Sequence, residues 1–379
     1  MSARIYTFNQ EYSLREITSY TQFLELSLDW NQLVAKDNTY KPFISFEWFQ
    51  LWLNHFLHDN RVFILALFRQ QRLVFIAPFF LRYDKYASIP IKKVEFIGNV
   101  YSPLKSFISG DSSVNLKELY LSYIIKYLYN NAIDWDMLDL YPLSEHDQNA
   151  NVLLKVIKEA GCQNRYQPYS TSFFSRTLAR TGGDYINTRS AATRQNLRRR
   201  RRGLEKLGDL EFRMIANPNN IDQYIEYYYQ VYAKSWKKRE EIGPTFHGDL
   251  AKLAASKGWL RLGMLFLNNI PIAAEFCILS DSAAVFLKIA YDEEFRKYGP
   301  GNIVMSETIK HMIDNDSITE LDLGLGDEAY KKSWVDQEME MSRLTIFNKN
   351  FKGRLLSILL NKAAPHYRQF KRLFSPDVS

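Results

Sequence analysis

The sequence predicts two mixed α/β domains in tandem, each with a mostly antiparallel sheet flanked by helices. Three observations support this fold class. The chain has 379 residues, more than twice the roughly 150 residues of an average domain. Hydrophobic residues make up 46% and charged residues 24%, which is typical of globular proteins and excludes disordered and collagen-like chains. A succession of strand, turn and helix patterns in the first half also recurs, in outline, in the second half.

The first predicted domain, residues 1–165, contains a β-hairpin. Residues 62–68 and 73–81 are rich in β-branched and aromatic side chains, and the polar turn Arg69-Gln70-Gln71-Arg72 lies between them. Helix and strand patterns on both sides of the hairpin make the domain mixed α/β. These elements are helices at 17–34, 46–56 and 116–129 and strands near 94–97 and 137–140.

The second predicted domain, residues 166–350, contains a three-strand antiparallel meander. Its strands at 259–267, 271–279 and 283–291 are separated by short polar turns, and this alternation is its main fold signal. The remaining predicted elements are a strand at 172–175, a basic helix at 185–207, a strand at 210–215, helices at 221–236 and 302–313, and a strand at 317–323.

The net charge of +7 is concentrated in a run of arginines and near the C-terminus. Successive residues of a helix point to all its sides, so the run is either a solvated surface or the contact for an anion. Cofactor phosphates, RNA or a lipid-linked acceptor all fit. The aromatic stripe of the 221–236 helix is interpreted as packing, but its last residue joins the candidate contacts. These are Arg198, Arg199, Arg200, Arg201, Arg202 and Trp236.

Residues 351–379 are predicted to form a basic, amphipathic C-terminal tail. Leu355, Leu356, Leu359 and Leu360 lie among lysines and arginines. This pattern predicts a helix docked on the second domain, and a helix lying on a membrane surface is the alternative.

The sequence also indicates a compartment and excludes some chemistries. It has no apolar stretch of the about 18 residues that cross a bilayer and no secretion signal. Cys162 and Cys277 do not have disulfide-framework or zinc-site spacing. We therefore expect a cytoplasmic protein that can bind peripherally to the inner face of the membrane. No metal-binding histidine motif, serine-hydrolase elbow or P-loop occurs, which argues against those activities.

The sharpest local motif is Arg296-Lys297-Tyr298-Gly299-Pro300-Gly301, between a predicted strand and a predicted helix. Glycines let a ligand approach the backbone, and the N-terminus of a helix offers free N–H groups, so the motif can hold an anion. The alternative is a tight turn in which Pro300 starts the helix.

The meander, this R-x-x-G-x-G motif, the helix and the next strand together resemble the acyl-CoA-binding core of the GNAT acetyltransferases. The segments AYDEEFRKYGPG, LDLGLGDEAYKKSW and RQNLRRRRRGLEKLG further resemble the acetyltransferase-like family associated with bacterial cellulose biosynthesis, which has two GNAT-like domains. KPFISFEWFQLW and LVFIAPFFLRY are similar to its first domain. The resemblance covers about residues 25–355. It implies a first domain that is degenerate and forms the acceptor cleft or a scaffold.

The resemblance also implies an activity and its co-substrate. The protein would transfer an acetyl or other acyl group from acetyl-CoA or another acyl-CoA, without a metal. The acceptor would be an amine or a hydroxyl on a small molecule, a glycan or a lipid-linked compound, in polysaccharide or cell-envelope biosynthesis.

The same resemblance assigns candidate residues. Arg296, Gly299 and Gly301 match the pyrophosphate motif, and Asn302 would add a backbone N–H. Pantetheine would insert where the strands at 283–291 and 317–323 separate. Tyr330 matches the tyrosine that protonates the leaving thiolate, with a packed aromatic residue as the alternative. Lys331 would stabilise acyl-oxygen or phosphate charge, or would simply be solvated.

A general base is harder to assign. Asp292, at the end of the third meander strand, is the first candidate, and Glu275 and Glu328 are other acids near the predicted cleft. Alternatively, Asp292 braces the glycine-containing turn. A dedicated base is also not compulsory, because holding the amine against the thioester can be sufficient.

Two other functions stay open. The Fem-type peptidoglycan aminoacyltransferases share the duplicated fold and use aminoacyl-tRNA, for which the arginine run would supply phosphate contacts. The other is a noncatalytic scaffold of a polysaccharide-assembly complex, which would not bind acyl-CoA.

Overall fold

The computed structural model describes residues 3–36, 41–86, 88–103, 105–130, 134–237, 245–326 and 328–363. The strands in these ranges are β1 Arg4–Thr7, β2 Tyr12–Ile17, β3 Arg61–Arg69, β4 Arg72–Tyr86, β5 Ile89–Phe96, β6 Ile108–Ser109, β7 Met137–Ser144, β8 Asn164–Arg176, β9 Leu210–Ile215, β10 Leu260–Leu267, β11 Ile270–Ser280, β12 Ala283–Tyr291, β13 Glu320–Leu325 and β14 Gln337–Phe347. The helices are α1 Tyr20–Glu25, α2 Ser27–Val34, α3 Lys41–Ile44, α4 Phe46–Phe56, α5 Val114–Asn130, α6 Gln148–Glu159, α7 Gly182–Thr188, α8 Ala191–Glu205, α9 Ile221–Ala233, α10 Phe246–Ser256, α11 Pro300–Asp316 and α12 Phe351–Ile358.

The strands of the described residues form one 14-stranded sheet in the order β1-β2-β3-β4-β5-β7-β14-β8-β13-β12-β11-β10-β9, with β6 paired to β4. The neighbours β5 and β7 are parallel, as are β12 and β13, and the other neighbours are antiparallel. The predicted class, mixed α/β with mostly antiparallel strands between helices, is confirmed.

Two similar units build this sheet. In each unit, three antiparallel strands lead into a 17-residue helix and then into a strand parallel to the third: β3-β4-β5-α5-β7 and β10-β11-β12-α11-β13. The predicted hairpin and meander are therefore confirmed. Pairing between β12 and β13 covers only Ala283 to Val285 and stops after Asp322. The two strands separate beyond that point, as the sequence resemblance implied.

The last of the described strands joins the two units. β14 pairs with β7 on one side and β8 on the other, so that Leu344 faces both Leu140 and Tyr166. The domain boundary predicted between residues 165 and 166 falls inside β8. The sheet therefore runs without a break through the predicted boundary.

Helices cover both faces of the sheet because the strands alternate their side chains. In β3, Ile64 and Ala66 join a core with Trp52 of α4, whereas the intervening Leu65 joins a core with Leu121 of α5. The first of these cores extends to α9, α10 and β11 of the second unit. Helices α3 and α4 consequently contact the second unit, α3 at β11 and α4 at α10.

Several predicted elements have different bounds. The helix predicted at 17–34 begins only after Ser19, whose side chain caps α1, and Tyr12–Ile17 is a strand. The basic helix predicted at 185–207 is two helices, because Arg189 is extended and the Ser190 side chain caps α8. The sequence patterns did not predict β1, β6, β14, α3, α6 or α10.

The described part of the C-terminal tail docks on the first unit rather than on the second domain, which corrects that prediction. Leu356 of α12 is buried with Ile91 of β5, Met137 of β7 and Phe347 of β14. Residues 364–379 of the predicted tail lie outside the described residues. Among the residues that the structure describes, none of the helices is long and apolar enough to cross a membrane.

Candidate active site

The glycine-containing motif forms a tight connection between β12 and α11. A 3₁₀ turn, Glu293–Tyr298, ends at Gly299, which also precedes the first residue of α11, Pro300. Gly299 has a φ of 55°, a left-handed conformation that favours glycine. A Cβ at this position would lie 2.5 Å from Nη1 of Arg200, so the arginine approaches the backbone only because the side chain is absent.

The first turn of α11 provides a backbone donor. The N–H of Gly301 lies before the first intrahelical hydrogen bond of α11 and is available to an anion. Asn302 differs from the prediction, because its N–H already donates to the Gly299 carbonyl at 3.1 Å. Arg296 remains accessible, with 74% of its side chain exposed and a 3.6 Å ion pair to Glu293.

Helix α8 lies against this turn and places one arginine on it. Nε of Arg200 is buried and has no hydrogen-bond partner among the described residues. Gly203 of α8 packs on the ring of Tyr298, which allows the close approach of α8 to the turn. Arg201 is paired with Glu307 of α11 at 2.7 Å and with Glu205 at 2.9 Å. Arg200 therefore joins Arg296 and the Gly301 N–H around one candidate anion site.

After β13 ends at Leu325, the chain forms a short 3₁₀ turn that begins at Lys331. Its Nζ donates to the Leu325 carbonyl at 2.6 Å and lies 3.0 Å from the Glu328 carboxylate. Lys331 is buried, and a side chain at Gly326 would collide with this pair. The contacts show Lys331 holding the loop that carries Tyr330.

Tyr330 lies at the edge of a buried polar region, with 39% of the residue exposed. Burial of its hydroxyl raises the pKa of Tyr330 above the ordinary value, and the carboxyl groups of Glu275 and Glu328 raise it further. The phenol therefore keeps its proton at neutral pH. Such a group can donate a hydrogen bond or a proton, but it does not act as a base.

Glu275 of β11 is the titratable acid of this region. Only 2% of it is exposed, and burial raises its pKa to about 8 against the opposing effect of Lys237. Its Oε2 has no hydrogen-bond partner within the described ranges. Burial also lowers the pKa of Lys237 to about 8, with the charge of Lys288 acting in the same direction. An acid and a lysine of this region therefore both titrate near pH 8.

Residues 191–332 match the family model of the acetyltransferase (GNAT) domain. The match begins at α8 and ends just after Tyr330, so it includes the turn, the separated strands and Glu275. No curated protein matches the sequence significantly. The match supports the predicted resemblance to GNAT enzymes, whereas the assignment to the cellulose-biosynthesis family stays a prediction.

Solved structures with this fold cover most of the chain. FemX aligns with a TM-score of 0.52 at 11% identity, over 82% of this chain and 98% of FemX. A conserved protein of unknown function from Bacteroides thetaiotaomicron aligns with a TM-score of 0.51 at 11% identity, over 85% and 97%. The C-terminal domain of a protein assigned as a lysylphosphatidylglycerol synthetase from Agrobacterium fabrum gives 0.51 at 10% identity, over 89% and 97%. At these identities the similarity concerns the fold alone.

Within the GNAT-matched region, Asp292 makes bracing contacts. It is buried, its Oδ1 accepts the N–H of Glu294 at 3.0 Å and its Oδ2 lies 3.0 Å from Nζ of Lys234. These are the contacts of the alternative in which Asp292 holds the turn. The carboxyl groups that act on Tyr330 are instead Glu275 and Glu328.

Trp236 lies beside the turn of the GNAT-matched region. The ring centroids of Trp236 and Tyr291 are 4.4 Å apart, and the Tyr291 ring packs on Gly301. About half of Trp236 is exposed. Arg198, Arg199 and Arg202 of α8 are exposed.

Sequence reasoning missed Lys237 and Lys288 and did not single out Arg200 from its run. Lys237 directly follows the aromatic helix, and Lys288 interrupts an otherwise apolar strand. A lysine inside an apolar strand is a signal that the sequence offers, because such a charge is costly to bury without a role. The orientation of Arg200 depends on where α8 begins, which sequence spacing did not show.

Proposed function

We propose that this protein is a GNAT-fold acyltransferase that transfers an acyl group from an acyl-CoA to an amine or hydroxyl acceptor. One observation supports the proposal most strongly. The R-x-x-G-x-G turn, the buried Nε of Arg200 and the separated strands β12 and β13 lie together inside the region that matches the GNAT model. The predicted pathway, polysaccharide or cell-envelope biosynthesis, is part of this proposal.

The residues at the turn fit a pyrophosphate. The Gly301 N–H and the guanidinium groups of Arg296 and Arg200 would hold its oxygens, and the buried Nε of Arg200 would gain the partner it lacks. The pantetheine arm would enter where the pairing of β12 and β13 ends. Acyl-CoA supplies the activated thioester.

The polar region beyond the separation of β12 and β13 would move the protons. Glu275, once deprotonated, accepts a proton from the attacking amine or hydroxyl, and Tyr330 donates one to the departing sulfur. The new bond joins the acceptor to the acyl carbon while the carbon–sulfur bond breaks. Lys331 would hold the loop that carries Tyr330, through its hydrogen bond to the Leu325 carbonyl. Asp292 would hold the glycine-containing turn, through its hydrogen bond from the Glu294 N–H.

The first experiment is calorimetric titration with acetyl-CoA and with free CoA. We compare the wild type with Arg296→Ala and Arg200→Ala, and the control is Arg72→Ala, an exposed arginine in the β3–β4 turn of the other unit. Loss of one charge-assisted phosphate contact should weaken binding about tenfold, equivalent to about 1.4 kcal/mol. The control should bind as the wild type does.

Failure of a folded wild type to bind either ligand would contradict the proposal. Circular dichroism establishes that each variant is folded. Equal binding by all four proteins would show that the turn does not hold the ligand.

The surface of α8 supports a second candidate, an aminoacyl-tRNA-dependent transferase of the Fem type acting on a peptidoglycan-type acceptor. Arg198, Arg199, Arg202 and Lys206 form an exposed basic surface, and FemX shares the fold. If tRNA is the donor, its affinity should fall steeply with salt, and replacing the three arginines by glutamine should flatten that dependence. Acyl-CoA binding without tRNA binding favours the first candidate.

A further inference from the structure

Helix α12 carries apolar side chains on two opposite sides. On one side, Leu356 is buried against the sheet of the first unit. On the other side, Phe351 is 81% exposed and Ile358 is 54% exposed, and the exposed Arg354 lies between them. Residues three and seven positions apart share one face of a helix, so these three side chains form a single exposed stripe. Large apolar side chains grouped on an exposed surface indicate an interaction site.

The surface next to this stripe is basic. Lys352 Nζ donates to the Pro90 carbonyl at 2.9 Å and thereby holds α12 beside the end of β4 and the start of β5. A groove of about 420 Å³ lies there, lined by Lys352 and by the exposed side chains of Tyr83 and Lys85. The groove therefore adds an aromatic ring and two cations to the stripe. We call the combined surface the α12 face: Tyr83, Lys85, Phe351, Lys352, Arg354 and Ile358.

Asp84 and Asp134 lie beside the groove but already have cationic partners. The Asp84 carboxylate lies 3.4 Å from Nζ of Lys93. The Asp134 carboxylate lies 2.5 Å from Nζ of Lys92, which also lines the groove. These two acids therefore do not offset the charges of Lys85, Lys352 and Arg354.

Most of the net positive charge of the chain belongs to the same segment. Residues 349–379 contain seven lysines and arginines and one acid, which gives them +6 of the net charge of +7. Residues 364–379 lie outside the described residues, but their sequence continues the mixture of aromatic and basic residues: Tyr367, Arg368, Phe370, Lys371, Arg372 and Phe374. A basic segment of this kind attracts an anionic partner.

The apolar side chains of the α12 face distinguish between anionic partners. A nucleic acid offers phosphates to the cations, but an aliphatic side chain such as Ile358 gains little from phosphates or from stacked bases. An anionic bilayer offers phosphates and, directly below them, acyl chains that receive Phe351 and Ile358. Exposed apolar residues with flanking cations therefore favour a lipid surface. Because one side of α12 docks on the protein and the other faces outward, docking and membrane contact are compatible.

We propose that the α12 face binds the surface of an anionic lipid bilayer. Phe351 and Ile358 insert at the level of the headgroups, and Lys85, Lys352 and Arg354 contact the lipid phosphates. Each part alone binds weakly, and the combination gives a peripheral attachment that is reversible and sensitive to salt. Neither this contact nor its test depends on the acyl transfer proposed above.

The test is co-sedimentation of the full-length protein with lipid vesicles. Vesicles of phosphatidylcholine alone are compared with vesicles that contain phosphatidylcholine and phosphatidylglycerol in equal amounts. The affinity of the wild type for the anionic vesicles should exceed its affinity for the neutral vesicles about tenfold or more, and this preference should fall as salt is added.

A first variant removes the apolar part of the α12 face. Phe351→Ser combined with Ile358→Ser should weaken binding to the anionic vesicles about fivefold or more, because the inserted apolar area is lost. The matched control is Leu28→Ser, which replaces an apolar side chain of α2 that is 77% exposed, and it should bind as the wild type does. Since all three side chains are exposed, the variants should stay folded, which circular dichroism checks.

A second variant removes charge from the α12 face. Lys85→Gln combined with Arg354→Gln should also weaken binding to the anionic vesicles about fivefold or more and should flatten its dependence on salt. The matched control, Arg72→Gln combined with Lys252→Gln, removes the same charge from exposed residues elsewhere and should change the affinity less than twofold, roughly.

Three vesicle results would overturn the inference: no binding by the folded wild type, equal affinity for neutral and anionic vesicles, or unchanged binding after Phe351→Ser combined with Ile358→Ser. The other occupant of an apolar face is a second copy of this chain. Analytical ultracentrifugation without lipid should give the same mass for the wild type and for that double variant. A wild-type dimer that the double variant dissociates would assign the face to self-association and would overturn the inference as well.

Discussion

The consecutive arginines of α8 have different environments because neighbouring residues on a helix point about 100° apart. Arg200 contacts the glycine turn, Arg201 pairs with Glu307, and Arg198, Arg199 and Arg202 are exposed. The sequence left two interpretations of this run open, a solvated surface and the contact for an anion. It did not show which arginine would contact the turn, because that depends on Ser190 starting the helix.

Gly299→Ala should weaken CoA binding and lower stability. The left-handed φ of 55° costs alanine about 1–2 kcal/mol, and the added methyl also displaces the Arg200 guanidinium. Gly161→Ala is the matched control, since Gly161 has a φ of 63° and open space around its Cβ position. Urea unfolding and calorimetry measure both effects. Equal losses of stability with unchanged CoA affinity would show that the contact with Arg200 is unimportant.

Glu275→Gln should lower the rate of thiol release about 100-fold or more, because the amide cannot accept a proton. In the wild type, the rate should rise with pH toward about 8, where Glu275 deprotonates, and Lys237 titrates in the same range, so the profile belongs to the pair. Glu275→Gln should lose this rise of the rate with pH.

Asp292→Asn should keep the rise of the rate with pH. It should lower the free energy of unfolding by about 1–3 kcal/mol, because it weakens the contacts of Asp292 with Glu294 and Lys234.

Glu275→Gln should also change how the free energy of unfolding depends on pH. Folding raises the pKa of Glu275, so the folded protein holds a proton that the unfolded chain releases between about pH 4.5 and pH 8. Wild-type stability should therefore lose a contribution as pH rises through this window, and Glu275→Gln should not show that loss. Parallel urea titrations at pH 5 and pH 9 compare them. An unchanged difference between the two proteins would contradict the raised pKa.

Among the elements, local patterns were enough for the hairpin and the meander. Their strands are neighbours in sequence, and the turns between them carry their own signals. β14 was missed because its charged and apolar residues, QEMEMSRLTIF, become a strand only by pairing with β7 and β8, which are far away in sequence. The end of β2 and the start of α1 were read as one helix, since the cap at Ser19 was not recognised.

The β3–β4 turn can be made more stable. Gln70 and Gln71 have φ values of 46° and 69°, the left-handed conformations of a two-residue hairpin turn in which glycine is preferred. Gln71→Gly should therefore raise the free energy of unfolding by about 1 kcal/mol. Thermal unfolding with Gln50→Gly, within α4, as a destabilising comparison measures the change. A loss of stability in both variants would contradict this reading of the turn.

At the scale of the whole molecule, a buried ion pair fastens β14 to the first unit. The Arg343 guanidinium binds the fully buried Asp139 carboxylate of β7, with Nε at 2.7 Å from Oδ1, and Thr345 Oγ1 also donates to this carboxylate. Lys93 Nζ lies 3.7 Å away. The sequence did not predict this junction, because it joins residues about two hundred positions apart.

Arg343→Met should destabilise the protein by about 3 kcal/mol, because it leaves the Asp139 charge buried with a weaker partner. The double variant Asp139→Asn/Arg343→Met should recover part of this loss, since it removes the unpaired charge. Urea unfolding should show one transition for the wild type. Separate transitions for the two units would contradict the idea that the sheet folds as one.

The position of β14 also sets an order of events during synthesis. β7 and β8 leave the ribosome long before residues 337–347 do, so each waits with an open edge until β14 arrives between them. At 5–20 residues per second, this wait is of the order of 10 seconds. During that time, the two strands can pair with each other or with another chain. The open edges of β7 and β8 therefore have to be kept from pairing wrongly until β14 is in place.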